Sequence, residues 1–495
     1  MNTKALRQKV LDLAIHGKLV PQNPNDESAT VLLEKIRAEK AEKIKKGELK
    51  ADKKDSFIFV GSDKRHYEQF ADGTVKDIED EIPFDVPEGW AWCRLGNIGK
   101  WQSGTTPNKK NLDYYKNGTI PWLLTGDLND GLVTEIPNCI TEKALKETSL
   151  KINPIGSVCI AMYGATIGKL GILNTPATTN QACCVCYEFY GINNKYLFYF
   201  LKEHKEEFIQ QGFGGAQPNI SKEKIVDTFI PLPPLSEQEC IVKSIETYFE
   251  QIDSLEENKY DLQTAIKQAK SKILDLAIHG KLVPQDPNDE PAEELLKRIA
   301  TSDNRPYKKF DDEEPFEIPY SWAWASMKDI VTINPKNKID DDAHVSFIPM
   351  TLIDSEYKNT HGQEEKLWKD IKKGFTHFAE NDVAIAKISP CFENRKSVVL
   401  KNLKNGYGAG TTELYILRSK DVVLPEYILW LVKSDNFINT GIGNFSGVVG
   451  QQRLARDIVE NYPVPLPPFA EQQRIVSKIE ELFEKLDIIS KELTE

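Results

Sequence analysis

Residues 236–282 carry an unbroken stripe of side chains at alternating steps of four and three: Ile241, Ile245, Tyr248, Ile252, Leu255, Lys259, Leu262, Ile266, Ala269, Ile273 and Leu276. A 3.5-residue period sets these on one line of a helix, and a line of that length cannot be left in water. The stretch predicts a helix of roughly 70 Å that needs a partner helix of similar length.

The two ends of the same chain supply the expected partner. Residues 470–495 repeat the start of the central helix, with Ile475, Ile479, Leu482, Leu486, Ile489 and Leu493 as their seam. LDLAIHGKLVPQ stands at residues 11–22 and again at 274–285, an offset of 263, while PLPP begins at Pro231 and again at Pro465, an offset of 234. With these offsets residue 495 falls on 261 and residue 1 on 264, so tail and head together rebuild the central helix. The expectation is two similar halves about a pseudo-twofold axis, a long antiparallel two-helix coiled coil, and neighbouring termini.

Between the helices lie two blocks, opened by the matching phrases IPFDVPEGWAWCRLGNI and EPFEIPYSWAWASMKDI. In the first, SVCIAMYG and QACCVCYEF read as short strands and residues 194–211 as a helix; in the second, DVAIAKIS, SVVL and ELYIL read as strands and residues 425–439 as a helix. Each block is a mixed α and β domain, and the fold class is α+β. The chain divides into N-terminal helices (1–37), a polar connector (38–88), a first domain (89–234), the central helix (235–283), a second connector (284–320), a second domain (321–468) and a C-terminal helix (469–495); residues 26–54 read as a charge-rich helical segment with Leu32, Leu33 and Ile36 as its apolar side, and the region from there to residue 88 as exposed. From the repeated LDLAIHGKLVPQ to the opening Trp90 or Trp322 the first half is 31 residues longer than the second, which marks this stretch as tolerant of length.

The net charge of −12 argues at first sight against nucleic acid, yet it is unevenly spread. Residues 90–230 hold 14 Lys and Arg against 12 Asp and Glu, and residues 322–464 hold 18 against 18. The acidity lies on the helices and connectors, so it is a weak argument against DNA binding. No apolar run approaches membrane length and the first residues are not signal-like, so a cytoplasmic protein is expected. Eight cysteines without spacing shared between the halves fit a reducing compartment.

Catalytic motifs are wanting. GATIGK at residues 164–169 has three residues between its glycines where a phosphate loop has four, and Leu170 stands where Ser or Thr would hold magnesium. Cys183 and Cys186 form a C-x-x-C without a second pair or a histidine to complete a zinc site, and they fit a buried strand better. His16 and His279 share one repeat position at a helix end, which suggests capping or packing. The PLPP prolines end a globular block and start a helix, with Glu237 and Glu471 near its N-terminus.

The repeated LDLAIHGKLVPQ, the repeated PLPP-x-x-EQ before a heptad helix, SGTTPNKKNLDYYKNGTIPW, YGATIGKLGIL followed by TTNQA, and GTTELYIL together resemble the DNA-specificity subunit of type I restriction-modification enzymes. The resemblance implies a non-catalytic reader of double-stranded DNA with two target-recognition domains, one for each half of a bipartite asymmetric site. Helices would act as a ruler for the unread gap. It further implies two methyltransferase subunits docked on the helices and a translocating restriction subunit. Cofactors are then expected on those partners, S-adenosylmethionine for methylation and ATP with magnesium for restriction, and none on this chain. A coiled-coil scaffold that binds only proteins, and an enzyme with an unfamiliar site, are the alternatives.

Residues expected at DNA lie in the loops of the two blocks. In the first they are Ser103, Thr105, Thr106, Lys109, Lys110 and Tyr114, then Tyr163, Thr166 and Lys169, then Asn180 and Gln181. In the second they are Lys336, Lys338, Lys387, Arg395, Lys396, Thr411, Thr412, Gln451, Gln452 and Arg453. Lysines bind phosphate and bring salt dependence, whereas Asn and Gln can pair with an adenine edge in the major groove.

Overall fold

The long helix forms as expected, over Leu235–Ile278, and begins directly after the prolines of the first PLPP. In the computed structural model, which describes residues 2–47, 55–212, 219–311, 314–420, 423–448 and 452–493, the chain divides into two units, Asn2–Glu257 and Asn258–Glu495. The terminal residues Met1 and Glu495 lie outside the described residues.

In the first unit the helix Thr3–Ile15 runs antiparallel to the long helix. Arg7 pairs with Asp253 and Glu256, whereas Gln22, beyond the helix end, reaches back to Glu237. The second unit repeats this register between the last part of the long helix and the C-terminal helix Phe469–Glu492. Lys270 Nζ stands 2.5 Å from Asp487, and Gln285 Nε2 stands 2.6 Å from Glu471. Ile241, Ile245, Ile252 and Ile266 are buried along the long helix, as are Ile475 and Ile479 on the C-terminal helix. Each such burial stabilises by about 2 kcal/mol.

Other seam positions differ from expectation. Leu255 is 45% exposed, Leu262 41% and Ile489 43%, while Ile273, Leu482 and Leu486 are half-buried. The reason is that the outer parts of these helices bury more than a 3.5-period line. Val242 joins the core of the first domain, and Leu274, Ala277, Ile278, Val476 and Phe483 join that of the second. Leu255 and Leu262 fall in the middle stretch of the long helix and, among the described residues, join neither domain core.

Each unit ties its domain to its helices in the same way. Strand Ala91–Arg94 pairs antiparallel with Phe229–Leu232, and Ala323–Ser326 with Pro463–Leu466. Trp90 Nε1 donates to buried Glu237 at 3.0 Å, and Trp322 Nε1 donates to buried Glu471 at 3.0 Å. His16 and His279 end their helices with Nδ1 2.8 and 2.7 Å from the carbonyl oxygens of Asp12 and Asp275, and lie 4.0 Å from the Phe84 and Phe316 rings. Gly17 is left-handed at φ +65°, and a Cβ there would meet Pro87 at 2.3 Å, so the turn after the helix requires glycine.

In the first domain a five-stranded sheet has the order Lys100–Ser103, Cys183–Tyr187, Val158–Ala161, Leu170–Leu173, Gly131–Val133, beside a small sheet of Thr178–Thr179, Ile120–Leu123 and Cys139–Ile140. The second domain has one four-stranded sheet, Val331–Ile333, Leu414–Ser419, Val383–Ala386 and Ser397–Val399, and another, Glu364–Leu367, His344–Ile348, Tyr407–Gly410 and Thr376–Ala379. The helix expected at 194–211 is broken at His204 into Asn194–Glu203 and Lys205–Gly212, and the one expected at 425–439 becomes Pro425–Val432 and Asp435–Gly443, with Ser434 capping the second piece.

Both connectors are folded, and the part of the first expected to be polar and exposed forms a small sheet. After the helix Ala29–Lys45, the strands Ser56–Val60, His66–Phe70 and Val75–Asp77 form an antiparallel meander. Its Glu68 is buried and accepts from Arg94 at 3.1 and 2.7 Å, which fastens the meander to the first domain. The second connector forms the amphipathic helix Ala292–Ser302, whose Leu295, Leu296 and Ile299 are buried. Three short strands bury little on their own, and two of them, His66–Phe70 and Val75–Asp77, are mostly polar.

Candidate nucleic-acid interface

Strand register gathers the loops of the first domain at one end of its sheet. Ser103 pairs with Cys184, Cys183 with Ala161, and Ile160 with Leu170. The end of the strand Lys100–Ser103, the start of Cys183–Tyr187 and the turn from Val158–Ala161 into Leu170–Leu173 therefore lie side by side. Thus Ser103, Thr105 and Thr106 come beside Asn180 and Gln181, with Tyr163, Thr166 and Lys169 in the next turn.

Contacts between these loops are direct. Thr106 Oγ1 donates to Gln181 Oε1, the Thr105 amide donates to Thr179 O at 2.9 Å, and the Asn180 amide donates to Leu123 O at 3.1 Å. Gly104 makes this closeness possible, since a Cβ there would stand 2.1 Å from Thr179 O. The Asn180 Oδ1 is buried without a hydrogen-bond partner among the described residues. Ser149, which sequence reasoning missed, shares a hydrogen bond of 2.8 Å with Thr105 Oγ1. No local pattern marks it, because it arrives from a distant segment.

Lys109 and Lys110 are exposed on a loop whose shape is fixed from beneath. Pro107 is buried, Tyr115 Oη donates to Pro107 O at 2.6 Å, and Tyr114 Oη donates to Glu147 at 3.1 Å. Tyr163 is 39% exposed, and Thr166 Oγ1 donates to Tyr163 O at 3.0 Å.

The second domain makes the same gathering. Ala386 pairs with Leu414, Ile385 with Ser397, and Ile333 with Leu417. This register sets Lys387, Lys396 and Thr411 at one sheet end, with Lys336 and Lys338 on the segment leaving Val331–Ile333. Arg453 joins by a bridge to Ile388. Lys336, Lys338 and Thr412 are exposed.

Some expected readers are committed to the fold instead. Arg395 donates to Lys433 O at 2.9 Å, pairs with Asp435 and lies over the Tyr357 ring, so its guanidinium holds a loop and is not presented outward. Lys396 Nζ donates to Met350 O at 3.0 Å. Arg453 forms two bonds with Glu413, of 2.9 and 3.0 Å, and the ion pair holds that carboxyl below its ordinary range. Ser389 donates its amide to Gln452 O at 2.9 Å, and Gln451 lies outside the described residues. Beneath this end sits Lys433, whose Nζ donates to Glu356 O at 2.7 Å and Arg395 O at 2.8 Å; burial lowers its pKa to about 7.

Other chemistry does not assemble. Among the described residues no group of three or more His, Cys, Asp or Glu could hold a metal ion, and no helix is long and apolar enough to cross a membrane. Cys183 and Cys186 are buried in one strand, and residues 164–166 form a short 3-10 turn between strands.

The family model described as "Type I restriction modification DNA specificity domain" matches residues 87–263 and again 319–495, each span holding one of these domains and the helix that follows it. The chain belongs to the type I restriction modification DNA specificity family. Among its relatives, the type I restriction enzyme EcoAI specificity subunit of Escherichia coli is 46% identical over 243 residues, covering 46% of this chain and 41% of that protein. The EcoEI specificity subunit of the same species is 47% identical over 239 residues, covering 45% and 40%. The chain thus spans about two fifths of these curated relatives' length. The EcoKI specificity subunit of Escherichia coli K12 is 23% identical over 417 residues, 82% of this chain and 85% of that one. A solved HsdS subunit from Thermoanaerobacter tengcongensis shares the fold, with a TM-score of 0.51 at 16% identity, covering 84% of this chain and 94% of that one.

Proposed function

We propose that this chain is the sequence-reading specificity subunit of a type I restriction-modification complex, and that it is itself non-catalytic. The observation that carries the proposal is the gathering of separate polar loops at one sheet end in each of two repeated domains. Each end is a polar surface on a rigid sheet, suited to reading base edges, with lysines for phosphate at its border. Two such ends on one chain read a bipartite site, one half each, and the helices set the gap between the halves and dock two methyltransferase subunits. S-adenosylmethionine, and the ATP and magnesium of restriction, belong to the methyltransferase and restriction partners. The complex works on cytoplasmic DNA.

Single-molecule sequencing of methylated adenine in the source genome, with and without this gene, tests the proposal. A split motif with a fixed unread gap should vanish with the gene. An unchanged methylation pattern, with the partner subunits shown to be expressed, would overturn it.

A further inference from the structure

The folded first connector borders an open space. Between the helix Ala29–Lys45, the meander and the strand Ala91–Arg94 lies a cavity of about 500 Å³, within the size range of small-molecule sites. Phe57, Phe59 and Phe70 of the meander line it, together with Trp90 and Trp92 of the domain edge. Arg37 and Lys40 of the helix line the same space, and so do the carboxylates of Glu34 and Asp55.

Arg37 has no carboxylate partner among the described residues; its guanidinium lies over the Phe57 ring, 4.0 Å from the centroid. Lys40 Nζ is 3.7 Å from Asp55, a loose pairing. In the second unit the counterpart of Trp92 is Trp324, whose ring centroid lies 6.1 Å from that of Phe310, and Tyr307 packs on the core. The meander of the first connector thus walls an aromatic cavity in which Arg37 has no carboxylate partner among the described residues.

Aromatic walls take a flat ring, and an arginine without a counter-ion takes an anion by charge-assisted hydrogen bonds. We propose that this cavity binds a small aromatic acid, with its anionic group on Arg37 beside Lys40 and its ring among Phe57, Phe59 and Trp92. Trp90 also lies in the wall, so a bound molecule touches the residue that joins the domain to the long helix through Glu237.

Calorimetric titration of the full chain with 8-anilinonaphthalene-1-sulfonate tests this. One saturable equivalent is expected. Arg37→Gln should weaken it about tenfold or more, and Ala41→Trp, at an exposed position on the cavity rim, should abolish it with the circular dichroism spectrum unchanged. Lys297→Gln in the second unit should have no effect. Absence of saturable binding, binding that survives Ala41→Trp, or an affinity indifferent to Arg37→Gln would overturn the proposal.

Discussion

Trp90 donates its indole N–H to the buried carboxyl of Glu237 at 3.0 Å, and the same bond recurs at the same length between Trp322 and Glu471. Each carboxyl also accepts from a glutamine of the repeated LDLAIHGKLVPQ, Gln22 or Gln285. One acid therefore joins three segments: the domain edge, the turn after one helix and the start of another.

Burial raises the pKa of both Glu237 and Glu471 above the ordinary carboxylate value. A folded-state pKa above the unfolded one means that the folded chain holds more protons, so stability falls as pH rises from the unfolded pKa through the folded one. Urea unfolding between about pH 4 and 7 should show that decline, and Glu237→Gln with Glu471→Gln should flatten it. Equal slopes for wild type and double variant would count against the assignment. Trp90→Phe, which leaves the acid short of a donor, should cost about 1–3 kcal/mol.

The long helix yields a contrast between neighbouring apolar residues. Ile252 is 5% exposed and Leu255 45%. Ile252→Asp should destabilise by about 2–5 kcal/mol in denaturant titration, whereas Leu255→Asp should stay within about 0.5 kcal/mol of wild type. A large loss at Leu255 would show that its side chain is covered in the folded chain.

Legibility from sequence differs by structural level. The offsets of 263 and 234 align Arg7 with Lys270 and Asp253 with Asp487, and both ion pairs exist. Repetition is a long-range signal, so it conveyed the helix register correctly. The period of the stripe could not say which members are covered, because Val242 and Phe483 turn into the globular cores while Leu262 and Ile489 stay outside. The meander went unread although SFIFV at residues 56–60 is an apolar run, because its partner strands His66–Phe70 and Val75–Asp77 are polar and Glu68 reads as a surface residue until Arg94 meets it. The candidate loops were chosen from their residue types, and strand register brings them together at one sheet end. Individual roles were not: Arg395 resembles a DNA contact in sequence, but Asp435 and the Lys433 carbonyl take its guanidinium.

Lys433 offers a pH signature in the second domain. Burial holds its pKa at about 7, far below that of an exposed lysine. Between that value and the unfolded pKa of about 10.4, the unfolded chain binds the extra proton, so stability should rise with pH across this window. Lys433→Met removes the titrating group and should abolish the rise. It also frees the Glu356 and Arg395 carbonyls, so its stability at pH 7 should fall by about 1–3 kcal/mol. A slope preserved in the variant would place the titration elsewhere.

The two sheet ends should be separable by mutation, because each domain carries its own loops. In the assembled complex, Gln181→Ala removes the acceptor of the Thr106 hydroxyl and an amide able to pair with a base edge. Relaxed discrimination worth about 1–3 kcal/mol is expected at one or two positions of a single half-site. The lysines behave differently. Lys109 and Lys110 are exposed on a braced loop, and Lys109→Ala with Lys110→Ala should weaken binding to all sequences alike, reducing the slope of log K against log salt by about 0.9 for each phosphate that is no longer neutralised. Fluorescence anisotropy with oligonucleotides varied in one half-site at a time, repeated across salt concentrations, reads both effects. Relaxation of both half-sites by Gln181→Ala would mean that the domains do not read independently, and an unchanged salt slope in the lysine variant would move phosphate binding off this loop.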